Sequence, residues 1–171
     1  APEHPSLTVY PEVRHEIDVR LFGQFLERAS FGDHGPEWFV DRDTGKLQER
    51  IVEMLEEMEI PVIRFPGGTD VDYIDWRDMI DNVPGREGSE RPVTRSQHHG
   101  KGEVHTITNH FGYDEYFELR DELGCETILV VNLLDGLAKR RPLEEAANLA
   151  AGLVAYANAP LTADLPKGMP N

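Results

Sequence analysis

Three times along this chain a short apolar run gives way to a segment with helical periodicity, and that alternation restricts the fold more than any other feature. Residues 19–26 are apolar up to Glu27 and read as a first buried strand. Leu47, Ile51, Leu55 and Met58 then recur at spacings of four, four and three, with Met54 beside them, which predicts a helix over 46–59. Ile60-Pro61-Val62-Ile63-Arg64-Phe65 follows almost without a loop; it is short and β-branched, with Pro61 at the first strand position, where proline is tolerated. Tyr113, Tyr116, Phe117, Leu119 and Leu123 cluster on one side of a second helix over 114–123, and Gly124 stands where a left-handed C-terminal cap belongs. Residues 127–133 are a continuous apolar run of the kind a parallel strand covered on both faces requires. Pro142 opens a third helix, with Glu144 and Glu145 in its first turn and an end near Pro160.

The order strand, helix, strand, helix, strand, helix is the signature of right-handed crossover units on a parallel sheet, which places the chain in the α/β class. A barrel of such units has eight strands and about 250 residues, whereas three strands alone leave two unpaired edges. The chain is therefore expected to be the first three βα units of a partial (β/α)8 TIM barrel, completed by a missing C-terminal part or by a second chain. An open three-layer domain is the structural alternative. Residues 7–17 alternate apolar and polar around Pro11 and read as an edge strand or extended arm outside the main core. The expected division is thus 1–17 as an N-terminal arm and 18–171 as the three βα units.

Composition narrows the partners. The formal net charge of −15 over 171 residues repels phosphate backbones and anionic headgroups, so nucleic acid is not an expected partner. No apolar run approaches the roughly 20 residues that span a bilayer, so no membrane is expected either. A removed signal peptide would leave no trace, which leaves both a cytoplasmic and a secreted location open. The single cysteine, Cys125, precludes an intrachain disulfide and reads as a buried structural thiol.

Residues 66–111 connect the second strand to the second helix, far longer than the few residues usual for such a connection, and long loops of this kind are commonly functional. They leave the C-terminal end of a strand, where parallel sheets build their sites. Arg64-Phe65-Pro66-Gly67-Gly68-Thr69-Asp70 runs from the strand into a glycine turn that lets backbone approach a ligand. Its spacing matches no nucleotide-binding glycine motif. Glu27, Arg64 and Asn132 bring a carboxylate, a guanidinium and an amide to the same ends of the three strands, a set suited to hydroxyl-rich sugars. Trp38 and Trp76 are available as aromatic platforms or as ordinary packing. His98, His99, His105 and His110 crowd the loop, but their spacing fits no zinc pattern, and neither a metal nor another cofactor is expected.

Four blocks in order, Leu21-Phe22-Gly23-Gln24-Phe25-Leu26-Glu27, Pro61-Val62-Ile63-Arg64-Phe65-Pro66-Gly67-Gly68, Thr108-Asn109-His110-Phe111-Gly112-Tyr113-Asp114-Glu115-Tyr116-Phe117 and Val130-Val131-Asn132-Leu133, resemble the α-L-arabinofuranosidases of glycoside hydrolase family 51. The resemblance runs from about residue 17 to 158. It implies a retaining glycosidase whose barrel is joined to an accessory β-sandwich that would claim the N-terminal strand. It also implies a catalytic glutamate pair on the fourth and seventh strands, beyond Asn171, so no catalytic residue is expected here.

On this reading the chain supplies substrate-binding residues, namely Glu27, Arg64, Gly68, Thr69, Asp70, Trp76, Asn109, His110 and Asn132, for an oligosaccharide or polysaccharide bearing plant or algal side chains. Alone it would be inactive. Thr69-Asp70 and Asn109-His110 depart from the asparagine and Asn-Glu usual at these places in the family, which keeps an endo-β-glycanase of the same family as an alternative. A non-catalytic carbohydrate-binding protein is another, in-chain catalysis by Glu27 with Asp70 or Asp72 a third, and homo-oligomerisation stays open.

Overall fold

The computed structural model describes residues 5, 7–13, 15–27, 35–81, 83–86, 88–96 and 105–158. Its centre is a three-stranded parallel sheet of β1 (Gln24–Phe25), β2 (Val62–Phe65) and β5 (Glu126–Leu129), in the order β1-β2-β5. The crossovers carry α1 (Glu49–Glu56), then α2 (Tyr113–Leu123), and after β5 come α3 (Leu134–Leu137) and α4 (Leu143–Asn158). The chain is therefore α/β with a parallel sheet, as the alternation of runs predicts.

Side chains alternate across a strand, so β2 sends Ile63 and Phe65 to one face and Val62 and Arg64 to the other. Helices cover the first face. Phe65 lies parallel to Tyr116 with centroids 4.3 Å apart and meets Tyr113 and Phe111 edge-on at 5.4 and 5.7 Å. All four rings are fully buried, and Met79, Ile80 and Leu119 complete the same core. On the second face the register aligns Phe25 with Arg64 and Arg64 with Ile128. Phe25 and Ile128 are 67% and 54% exposed there, so this face is largely open within the chain.

Element boundaries moved where side chains capture the backbone. Leu47, expected in the first helix, instead bridges Val40 in an antiparallel pair. Asp41 accepts hydrogen bonds from the amides of Asp43 and Thr44 and turns the chain back through Gly45, so α1 begins only at Glu49. The first strand, expected over 19–26, is shortened by a 3-10 turn at Val19–Phe22 that Asp18 caps through the amide of Arg20. The third strand, expected over 127–133 and covered on both faces, spans only Glu126–Leu129 and alternates exposed with half-buried positions. It lies at an edge, and Asn132 accepts from the amide of Asp135, which starts α3 and ends the extended run. The described residues of 7–17 form no strand, and Leu7, Val9 and Val13 are exposed.

Where capping chemistry was explicit the expectation holds. α2 ends at Gly124 with φ of 62°, the left-handed cap, and α4 begins just after Pro142, whose carbonyl accepts the bond from Ala146. Cys125 is buried, and burial pushes its thiol above the usual range. The long connection is not irregular throughout. It holds 3-10 turns at Thr69–Tyr73 and Trp76–Met79 and an antiparallel hairpin of β3 (Thr94–Ser96) and β4 (His105–Ile107).

Tyr116 supplies a measurable signature of this packing. Its hydroxyl bonds Thr127 Oγ1 and donates to the carbonyl of Ile63, tying α2 to both β2 and β5. Burial pushes its phenol up to about 12, with the Thr127 hydrogen bond offsetting part of the rise. An unfolded tyrosine releases its proton near pH 10, so between about pH 10 and 12 the folded state keeps a proton that the unfolded state has lost. Stability should therefore fall as pH rises through that window, and Tyr116→Phe should remove part of the slope. Urea unfolding across the window, with phenolate absorbance followed in parallel, checks both.

Candidate functional site

Glu27 and Arg64 meet at the C-terminal end of the sheet. The amide of Leu26 donates to the carbonyl of Arg64 at 2.9 Å, which prolongs the β1–β2 pairing by one step and sets Glu27 just past it. Arg64 Nη2 donates to Glu27 Oε1 at 2.5 Å, and its guanidinium lies 3.9 Å above the Phe25 ring. The Arg64 side chain is 28% exposed and that of Glu27 is 47% exposed, so the pair is open to a ligand on one side. Arg64 Nε is buried without a hydrogen-bond partner among the described residues.

Gly67 and Gly68 make this approach sterically feasible. Gly67 has φ of 131°, a conformation that glycine alone adopts readily, and a Cβ there would stand 3.3 Å from Glu27 Cβ. A Cβ on Gly68 would lie 3.6 Å from Glu27 Oε1 and 3.7 Å from Arg64 Nη2. A side chain at either glycine would therefore begin in contact with the pair, and the glycines leave that space open. The Phe65–Pro66 peptide just before it is cis.

Thr69 opens the next 3-10 turn, and Asp70 within it is buried. Asp72 accepts from the amides of Leu133 and Leu134 at 3.2 and 3.1 Å, which fastens the loop to the end of the third strand run. Asn132 stands at the same end of the sheet, but its amide works on the protein: Nδ2 donates to the carbonyl of Ile74, and Oδ1 accepts from Asp135. Asp70 and Asp72 thus sit in structured backbone, and Glu27 is paired with arginine.

Trp76 belongs to packing. Its indole N–H donates to the carbonyl of Leu149 at 2.8 Å, its ring tilts against Tyr156, and it is 6% exposed, so the platform role is corrected by α4 covering it. Trp38 is largely exposed. Asn109 is fully buried with φ of 61°, and its amide donates to the carbonyl of Pro92 and to Thr94 Oγ1, which holds the hairpin to the loop.

A second cluster joins the two long loops. The buried carboxylate of Glu37 accepts through Oε2 from Thr108 Oγ1, from the amide of His110, both at 2.8 Å, and from the amide of Phe111 at 3.3 Å. The half-exposed imidazole of His110 puts Nδ1 3.8 Å from the same oxygen. Beside it Arg91, with its side chain 7% exposed, donates to both oxygens of Glu115, to Asp81 and Asp114, and to the carbonyl of Asn109. Burial pulls the Arg91 pKa down, and the pairs with Glu115 and Asp81 outweigh it, leaving the group above its ordinary value.

Sequence reasoning missed Glu37 and Arg91. Glu37 carries no local signal, and nothing in the sequence sets Arg91 apart from Arg86 and Arg95 beside it. Of the loop histidines, His98 and His99 lie outside the described residues. Among the described residues no group of three potential ligands could hold a metal ion, and no helix is long and apolar enough to cross a membrane.

Residues 54–166 match the family model described as the alpha-L-arabinofuranosidase 1 domain. The chain belongs to that family. Alpha-L-arabinofuranosidase C of Emericella nidulans is 30% identical over 138 residues, 78% of this chain and 26% of that protein. The intracellular exo-alpha-(1->5)-L-arabinofuranosidase of Halalkalibacterium halodurans is 29% identical over 80% of the chain and 26% of its own length. Among solved structures, the GH51 arabinofuranosidase from Xanthomonas axonopodis pv. citri superposes with a TM-score of 0.61 at 27% identity, covering 88% of this chain and 28% of that one. The arabinofuranosidase-family chain thus spans about a quarter of the length of these relatives. The family model includes Arg64, the glycine pair, Asn109, His110 and Asn132, while Glu27 precedes it.

Arg91 generates a stability prediction for this family member. Removing one partner from a buried charge cluster leaves the others uncompensated, so Arg91→Met should cost about 3–5 kcal/mol. The Asp81 side chain is 75% exposed, and Asp81→Asn should cost less than about 1 kcal/mol. Urea unfolding of the two variants side by side measures the difference.

Proposed function

We propose that this chain forms the sugar-holding wall of a retaining α-L-arabinofuranosidase, and that its sheet is the first three strands of a (β/α)8 barrel. The observation that carries the reading is the Glu27–Arg64 pair at the C-terminal end of a parallel sheet, backed by the Gly67-Gly68 backbone. A charged pair of this kind offers donors and acceptors together, which vicinal hydroxyls can bridge. The buried Nε of Arg64, without a partner among the described residues, supports it, because an orphan donor costs about 1–3 kcal/mol and such a cost invites a functional explanation. The family match supports the sugar class, through relatives named for arabinofuranoside cleavage.

In this reading Glu27 and Arg64 contact the sugar, with Gly68 and Thr69 beside them. Asn132 and Asp72 act behind them by fixing the loop, Asp70 is buried in the turn between, and Asn109 and His110 act from the neighbouring cluster. The acid–base and nucleophile carboxylates, about 5 Å apart in a retaining enzyme, come from the remainder of the barrel. That remainder also covers Phe25 and Ile128, and an accessory β-sandwich takes up Leu7, Val9 and Val13.

The test uses a polypeptide carrying the whole barrel. Glu27→Gln and Arg64→Lys should each lower kcat/KM on an aryl α-L-arabinofuranoside roughly 10- to 100-fold, as expected for a lost charged hydrogen bond. Circular dichroism should show the fold unchanged. Release of no arabinose by the parent protein, or a change below about twofold in both variants, would sink the proposal.

A further inference from the structure

Next to the Glu37–His110 cluster, the two long loops enclose a cavity of about 330 Å³ that contains neither Glu27 nor Arg64. One wall comes from residues before α1, including Val40, Asp41 and Arg42; the other comes from the connection before α2, including Ser89, Glu90, Val93 and His110. Both α1 and α2 begin at the end of the sheet where Glu27 and Arg64 lie, since each follows a parallel strand through its loop. The cavity and the pair therefore share one rim of the molecule.

The chemistry of its walls selects a ligand class. Three of the carboxylates are already committed: Asp41 to the amides of its own turn, and Asp81 and Glu115 to Arg91. The groups left to meet a ligand are one guanidinium, Arg42, one carboxylate, Glu90, one hydroxyl, Ser89, and the half-exposed imidazole of His110. Arg42 makes no ion pair among the described residues, and Val93 is 48% exposed as an apolar patch between these groups. A phosphate or uronate would face the acidic lining, and a peptide helix would not fit, since the volume is at the low end of the roughly 300–1,000 Å³ of small-molecule pockets. A neutral sugar matches: its hydroxyls both donate and accept, and its C–H face lies on valine. His110 is held for this task by Glu37, which accepts from its backbone amide and lies 3.8 Å from its Nδ1.

We infer that this cavity is a second, remote sugar subsite, which takes a neutral pentose unit of an oligosaccharide whose terminal residue occupies the Glu27–Arg64 site. The inference rests on the glycosidase reading above. A single sugar held by Glu27 and Arg64 leaves this cavity unfilled, since neither residue lines it, so the subsite acts on longer substrates.

The experiment compares an aryl α-L-arabinofuranoside with linear α-1,5-arabino-oligosaccharides of increasing length on the whole-barrel protein, using Arg42→Ala, Glu90→Gln and Val93→Ser. None of these residues touches the Glu27–Arg64 pair. The expected result is a roughly three- to tenfold loss in kcat/KM for the long oligosaccharides, carried by KM, with the aryl glycoside unchanged. Equal losses on both substrates, or none on either, overturn the subsite. If the parent protein cleaves no arabinofuranoside, calorimetric titration with the longest oligosaccharide separates the two claims. Binding weakened by the same three substitutions keeps the cavity as a sugar site while the activity fails, and binding indifferent to them ends it.

Discussion

Everything at the candidate site follows from the way Phe65 is seated. Its ring stacks on Tyr116 and is braced edge-on by Tyr113 and Phe111, so β2 cannot rotate about its axis without emptying the aromatic core. Strand geometry then leaves Arg64 no choice of face: one residue earlier, it must emerge on the opposite side. There it finds Phe25 beneath its guanidinium and Glu27 beside it, because parallel pairing sets Phe25 opposite Arg64. A slip of one residue would bury the arginine among three aromatic rings and expose the phenylalanine, two errors at once.

The long connection depends on a different principle. It seats Val71, Ile74, Met79, Ile80 and Phe111 in the core without a periodic pattern, and polar groups that α2 presents at its first turn fix the turns between them. Glu115 both accepts from the amide of Gly112, capping the helix, and takes two hydrogen bonds from Arg91. Gly112 is required there by contact: a Cβ would come 1.9 Å from the carbonyl oxygen of Met79. Burying Arg91 is tolerable because every charge it meets is negative, with Asp114 and Glu115 placed by the helix start and Asp81 by the loop, so desolvation is offset by several directed bonds. The same arginine holds the carbonyl of Asn109, and through it the turn that presents His110.

What could be read from the residues and what could not divides along contact range. α2 with its Gly124 cap and β2 behind Pro61 were legible, since periodicity and capping are local signals. Leu47 kept the helical spacing yet joined Val40, because Asp41 and Gly45 form a turn whose strength periodicity does not register. The hairpin of β3 and β4 escaped notice because its strands are short, polar and broken by no turn pair of the usual kind. Trp76 stood equally well for a platform or a core residue until α4 was found to cover it. Glu37 could not be found at all: its partners lie more than seventy residues away, at Thr108, His110 and Phe111. Arg64 and Glu27, by contrast, were legible as strand ends, because a parallel sheet gathers the termini of its strands on one rim without any contact having to be guessed.

The open face of the sheet bears on how such a site is divided along a polypeptide. Phe25 and Ile128 are exposed on it, and an apolar face beside two strand edges unpaired among the described residues is a liability for a chain left bare. Yet the Glu27–Arg64 pair, the glycine turn and the cluster around Glu37 are each held by contacts made within these residues. Under the barrel reading, then, further strands would seal the hydrophobic face and bring catalytic carboxylates to the rim, without having to orient the groups that hold the sugar. Positioning would precede chemistry in the order of assembly, and the geometry of the holding wall would be set by the seat of a single phenylalanine.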